Sequence, residues 1–353
     1  MRAAVYHGPR DVRIESVPEP RRPEDGELLV EVLRGAICGT DSSEYMHGPR
    51  FVPLHERHAG SGHIGPIVLG HEFVGRVTAV GERVEGFAVG DRVVSGAGAS
   101  CGACEWCRAG RTNLCAHYYT LGLHTHGGLA AFARTPASIA AKVPDACSDD
   151  AAAMAQPLAV ALHGLNRGRV QATETLVIIG AGAIGALMIG GAHGRGLRHV
   201  VAVDVDQSRL ATARELGAAH TIDASTEDVV AAVHGLTGGE GAHVVIEASG
   251  APTSPPQALA MVRRGGRVVI VGLQADPVSL DLFDVAVREI EISSALAHVC
   301  TSDLPEALDI LVRTDLASTI LDRVIPLARL VEDGLMPLAE GRATGKILVD
   351  PRS

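Results

Sequence analysis

Cys101, Cys104, Cys107 and Cys115 lie in the run CGACEWCRAGRTNLC, a C-x2-C-x2-C-x7-C spacing. Four thiolates this close together match the tetrahedral, sulfur-rich site that Zn2+ prefers, with one lobe of backbone supplying every ligand. Two other chemistries compete. An iron–sulfur cluster also uses four cysteines, but the tight bacterial spacing is usually followed by proline. A disulfide pair conflicts with the lack of a secretory signal in the N-terminal MRAAVYHGPRDVRIESV. Structural zinc is therefore the expectation. A closed four-thiolate site has no open coordination position, so the chemistry must lie elsewhere.

Two further stretches carry ligand types. Cys38 lies in AICGTDSSEY, and His71 and Glu72 lie in VLGHEFVG. Taken singly, each has an ordinary structural explanation: a buried thiol, a turn. A third feature is the G-x-G-x-x-G of IIGAGAIGA, formed by Gly180, Gly182 and Gly185. In a dinucleotide site the first glycine makes the tight turn, and the second admits the pyrophosphate. The third lets a helix pack close, with its N-terminal amides on the phosphates. Ala183 and Ile184 complete that turn. Asp204 follows about 20 residues on, where a carboxylate accepts from adenosine ribose hydroxyls and repels a 2′-phosphate. This favours NAD over NADP, with Arg209 as the counterargument.

The elements that must position these residues differ along the chain. Up to about residue 150 short β patterns and glycine turns dominate, including Leu28–Leu33, Phe73–Val80 and Asp91–Val94, and read as antiparallel sheet. From Glu174 strands alternate with helices. Glu174–Ile179, Val200–Asp204, Val244–Ala248 and Arg267–Gly272 read as strands and Ser208–Leu216 as a helix, which implies a doubly wound parallel sheet. Val271 and Gly272, at the end of the last run, are expected cofactor contacts. The Ala-rich 151–165 reads as a helix. Leu176–Ala192 is uncharged and about 17 residues long, the lower limit for a membrane span. Its glycines fit a buried strand, turn and helix better.

The 353 residues allow about two domains. With 46% hydrophobic and 20% charged residues the mix is that of a globular protein. A net charge of −10 argues against nucleic acid or anionic membrane as partners. The expected location is cytoplasmic. Lys142 and Lys346 are the only lysines. Cys147 and Cys300 read as buried thiols, and His55, His58 and His63 as a solvated loop near the mouth of the site.

The stretches ICGTDSSEYMHGPRFVP, GPIVLGHEFVGRVTAVG, the cysteine lobe, QPLAVALHGL and GAGAIG together resemble the zinc-dependent medium-chain dehydrogenases/reductases over essentially the full length. The nearest branch is that of the polyol and 2,3-butanediol dehydrogenases. The resemblance implies an α/β architecture with a GroES-like, mainly β catalytic domain (1–154 and 297–353, with the zinc lobe at about 95–117). A Rossmann domain at 155–296 would bind NAD. It implies a catalytic zinc held by Cys38 and His71, with Thr40 hydrogen-bonding the alcohol. It also places Arg209 at the adenosine ribose and Lys346 near the cofactor phosphates. Two zinc ions per chain, a small alcohol or ketone as substrate and a homodimer or homotetramer follow.

Two residues depart from that branch. Gln156 stands where a glutamate is usual, and Ser43 where a histidine is usual. With Cys38, His71 and Gln156 as ligands the zinc site carries net charge +1; with Glu72 instead, it is neutral. A neutral amide holds metal less firmly than a carboxylate. We therefore expect Cys38, His71 and Glu72 to bind the metal and Gln156 to bind its water or the substrate. A serine at 43 cannot store a proton at neutral pH, so water must carry it away. Some sugar dehydrogenases also carry Gln at that position, so an aldose 1-dehydrogenase is an alternative. A non-catalytic NAD-binding relative is another, against which Cys38, Thr40, His71, Glu72 and the glycines all weigh.

Overall fold

A computed structural model describes residues 1–20 and 22–353. The chain divides into two compact units. The first comprises 1–159, 299–312 and 321–353, and the second 160–298 and 313–320. The short stretch 313–320 thus packs with the second unit rather than with the chain's C-terminal portion.

The first unit is built on a seven-stranded sheet around the strand Glu27–Ala36. This strand reads ELLVEVLRGA, and its apolar residues are buried on both faces. Glu72–Val80 and Phe132–Pro136 pair with it antiparallel, and so does Lys346–Asp350, drawn from near the other end of the chain. Leu321–Pro326 then adds parallel to Lys346–Asp350. Tyr6, Ile37, Leu69, Leu129, Leu327 and Ile347 belong to its apolar core. The expected strands are present with small shifts. One element was not foreseen: Gly39–His47 is a helix. Its mixed polar sequence hides the helical period, and the signal that starts it is Asp41, three residues after Cys38, whose Oδ2 accepts from the Cys38 backbone N–H at 2.9 Å.

The second unit is a six-stranded parallel sheet. Its order is His220–Asp223, Val200–Asp204, Leu176–Ile179, Ala242–Glu247, Val262–Ile270, Glu291–Ser294. In chain order this is 3-2-1-4-5-6, the doubly wound arrangement, reversing between Leu176–Ile179 and Ala242–Glu247. Val177, Val201, Val203, Val245 and Val268 form its core with Val233 and Met261 from flanking elements. The apolar run at 176–192 is the strand Leu176–Ile179 followed by the helix Ala183–Gly194. Among the described residues no helix is long and apolar enough to cross a membrane.

Candidate active site

Sheet register assembles the first cluster. Glu72 opens its strand opposite Ala36, the last residue of the central strand, and the Ile37 N–H donates to the Ile347 carbonyl at 3.0 Å. Cys38, His71, Glu72 and Lys346 therefore meet at one end of one sheet, although 308 positions separate the first from the last. Gly70 aims His71. Its φ is +96°, and a Cβ there would lie 2.5 Å from Leu129 Cγ, so only glycine makes this turn.

One ligand atom from each of Cys38, His71 and Glu72 lies within 4.8 Å of the others. Thr40 Oγ1 is 3.7 Å from Cys38 Sγ. Asp41 is fully buried. While Oδ2 caps the helix, Oδ1 faces His71 Nδ1 at 3.5 Å, and among the described residues neither of these two atoms has a hydrogen-bond partner. Burial opposes charge on His71, but Asp41 and the Cys38 thiol prevail and hold the imidazole well above its usual range. Glu72 is 1% exposed and forms an ion pair with Lys346, which is 5% exposed. Burial would lower the Lys346 pKa, but Glu72, Cys38 and Asp41 raise it. Acidic groups thus surround a position that draws in positive charge, and the donor types suit zinc. Cys38, His71 and Glu72 are the residues that would hold it. Gln156, in the part of the helix Ala155–Gly168 that belongs to the first unit, is buried in its first turn. Ser43 is half-buried one turn beyond Thr40 on Gly39–His47.

The cysteine lobe also fits a metal. One sulfur from each of Cys101, Cys104, Cys107 and Cys115 lies within 4.8 Å of the rest, the clustering that a four-thiolate metal site requires. Cys115 Sγ accepts backbone N–H bonds from Cys101 (3.2 Å) and His117 (3.3 Å). Backbone N–H groups of Cys107 and Ala116 pull Cys104 down to about 6, the thiolate a metal needs.

In the second unit the glycines divide their tasks as the motif requires. Gly180 has φ +94°, and a Cβ on it would lie 2.8 Å from Ser249 Cα. A Cβ on Gly185 would run into the Gly180 carbonyl, whereas one on Gly182 would meet nothing within 4 Å. The open space is thus at the position where a pyrophosphate must approach. Gly182 starts the helix without a side-chain cap, leaving the N–H groups of Ala183, Ile184 and Gly185 for a ligand. Asp204 accepts from the Ala181 N–H (2.7 Å) and the Asp206 N–H (3.0 Å), and Arg209 Nη1 is 3.9 Å from its Oδ1. The carboxylate meant for the ribose therefore also braces the turn.

Residues 24–145 match the alcohol dehydrogenase GroES-like domain, and residues 183–313 match the zinc-binding dehydrogenase family. Sorbitol dehydrogenase of Bacillus subtilis is 33% identical over 91% of this chain and 87% of its own. (R,R)-butanediol dehydrogenase of the same organism is 32% identical over 99% of this chain and 100% of its own. The crystal structure of 2R,3R-butanediol dehydrogenase from Bacillus subtilis superposes with a TM-score of 0.91, at 31% identity over 99% of both chains. The chain belongs to the zinc-type medium-chain dehydrogenases, near their polyol branch.

Within this zinc-type medium-chain dehydrogenase, Cys38, Thr40, His71 and Glu72 come together in one unit. Gly180, Gly182, Ala183, Ile184, Gly185, Asp204 and Arg209 come together in the other. Val271 and Gly272 follow the strand Val262–Ile270, their N–H groups on the Glu247 carbonyl at 2.8 and 2.9 Å. Lys346 opens the strand paired with Glu27–Ala36, and its ammonium is buried against Glu72, where it balances that carboxylate's charge. Asp41 is the residue that sequence reasoning missed, although its helix-capping position three residues after Cys38 could have marked it. The His58 ring stacks on His124 with centroids 4.2 Å apart, so that loop is packed rather than merely solvated.

Proposed function

We propose that this dehydrogenase oxidises a secondary alcohol of a vicinal diol, polyol or sugar to the ketone, and reduces it in reverse, with NAD as hydride acceptor. The observation that carries the reading is the convergence of Cys38, His71 and Glu72 with a hydroxyl, Thr40 Oγ1, 3.7 Å from the Cys38 sulfur. A cluster that only stored metal would have no use for a hydroxyl at that position. When bound, zinc supplies Lewis acidity toward the alcohol oxygen and NAD supplies the hydride acceptor. Thr40 takes the alcohol proton at Oγ1 and passes its own onward. Ser43, one turn along, relays it to water without storing it. Asp41 favours the charged form of the His71 ring from 3.5 Å, and Lys346 offsets the charge of Glu72. In the other unit Asp204 would accept from the ribose hydroxyls of a bound dinucleotide and disfavour a 2′-phosphate, which supports NAD over NADP.

The test is a substrate panel of butanediols, acyclic polyols, aldoses and simple secondary alcohols, read as NADH absorbance on protein of known zinc content, with NADP in parallel. Activity on acyclic diols or polyols is expected. Oxidation of aldoses alone would move the assignment to sugars, as Gln156 allows. Silence with one zinc per chain would leave a nucleotide-binding relative without catalysis. Seven free thiols favour a reducing compartment such as the cytoplasm. We further propose a homo-oligomer in which a second copy covers the edge strand Glu291–Ser294 of the parallel sheet, beside which Phe283 is 77% and Leu282 68% exposed. Light scattering should give at least twice the 36.6 kDa chain mass.

A further inference from the structure

Glu247 ends the strand Ala242–Glu247 and is fully buried at 0% exposure. In the sheet register it lies opposite Ile179, the residue before Gly180. It therefore stands where the strand order reverses, the place at which doubly wound sheets receive their ligands. Its Oε1 accepts from the Ser249 N–H (2.7 Å), the Ser249 hydroxyl (2.6 Å), the Gly250 N–H (2.9 Å) and the Ser254 hydroxyl (2.9 Å). Its Oε2 accepts from the Gln274 side-chain amide at 3.0 Å. One carboxylate thus holds both the loop after its own strand and the loop after Val262–Ile270. The same loops press on the phosphate turn. Ser249 fills the space that a Cβ on Gly180 would need, and a Cβ on Gly272 would lie 2.5 Å from Glu247 Oε2.

A buried carboxylate is an expensive way to end a strand, since an apolar side chain would serve the core better. Its advantage is directional. Hydrogen bonds to a charged acceptor are short and strong, and they fix backbone that apolar packing would leave free to shift. We propose that Glu247 is a positioning residue for the dinucleotide: it ties the loops at 249–250 and 272–274 to each other and against the turn at Gly180, and so holds the nucleotide pocket in its binding shape without touching the cofactor. The inference rests on the reading above that the Gly180–Gly185 turn binds a dinucleotide.

The test is NADH affinity by fluorescence titration on zinc-replete wild type, Glu247→Gln, Gln274→Ala and the exchange Glu247→Gln with Gln274→Glu. Zinc content and the cofactor-free melting temperature are measured on each, and kcat and KM for NAD wherever the substrate panel gives turnover. Glu247→Gln should weaken NADH binding roughly ten- to a hundredfold, the loss expected when a hydrogen-bonded charged group is replaced. KM for NAD should rise with kcat within a few-fold. Gln274→Ala, on a partly exposed loop, removes one hydrogen bond of the five to this carboxylate and should weaken binding by about fivefold with a small drop in the melting temperature. The exchange reverses the donor and acceptor across the 247–274 contact and should recover much of the lost affinity, which a purely structural role does not foresee. NADH affinity equal to wild type in folded Glu247→Gln and in Gln274→Ala would overturn the inference, and if Glu247→Gln fails to fold, Gln274→Ala decides it. If wild type itself binds no NADH, the dinucleotide reading fails and the inference falls with it.

Discussion

The cysteine lobe and the Cys38–His71–Glu72 cluster both offer metal ligands, yet they are built in opposite ways. The lobe draws all four sulfurs from 15 consecutive residues, and its short helix Glu105–Arg108 buries no side chain. Little apolar packing holds it, so the metal must. The other cluster draws its ligands from segments that only the sheet register brings together, and buried Asp41 and Lys346 surround it. There the fold exists first and the metal occupies it. One site is a staple and the other is a socket.

The largest effect should come from breaking the staple. Cys107→Ser should lose one zinc per chain by elemental analysis and melt the lobe, because small zinc sites derive about 10 kcal/mol or more of their folding free energy from the metal. Unchanged protease resistance at residues 100–116 would contradict the contrast. Next is the socket. Lys346→Met leaves the Glu72 carboxylate buried without a counter-charge and should cost the metal-free protein about 3–5 kcal/mol. Added zinc should restore more of the melting temperature in this variant than in wild type, since a dication replaces the missing charge. Equal restoration in both would mean that Glu72 does not face the metal.

Smaller effects sharpen the socket's chemistry. Ser43→His supplies a base one turn from Thr40 and should raise alcohol oxidation below neutral pH by about tenfold, a modest share of what general bases contribute. A rate equal to or below wild type in stopped-flow or steady-state assays would remove Ser43 from the proton path. The smallest effect concerns the loops beside the socket. Burial, then the neighbouring His58, pushes His124 down to about 4, and its Nδ1 accepts the Thr120 N–H at 2.9 Å. The folded form therefore binds its proton later than the unfolded chain does. That stabilisation is fully present above about pH 6.5 and is lost as pH falls toward 4. Allowing for solvent screening of a partly exposed ring, it amounts to about 1 kcal/mol. His124→Asn, which keeps an acceptor but does not titrate, should flatten the melting-temperature profile over that interval.

What the sequence disclosed follows the same division. The lobe and the glycine turn were legible because their geometry is local: neighbouring residues meet whatever the rest of the chain does. Cys38, His71 and Glu72 were legible only through resemblance, since nothing in their spacing brings them together. The pairing of Lys346 with Glu72 was not legible because it depends on which strand lies beside Glu27–Ala36. The hydrogen bonds collected by Glu247 were invisible for a similar reason, since Gln274 reaches it only after a strand and a turn. The parallel sheet was read from alternation of strand and helix, but its two edge strands, His220–Asp223 and Glu291–Ser294, were not, because neither HTID nor EISS has an apolar run.

The placement of Lys346–Asp350 beside Glu27–Ala36 has a temporal consequence for the growing chain. Every residue of the nucleotide-binding unit has been synthesised once position 320 leaves the ribosome, so that unit is free to fold at once. The socket must wait another two dozen or so residues until Lys346 emerges, although Cys38 was made some three hundred residues earlier. Until then the Glu72 carboxylate and the Cys38 thiol belong to an unfinished sheet, exposed to stray metals and oxidants. The lobe, complete as soon as Cys115 appears, is free to close long before.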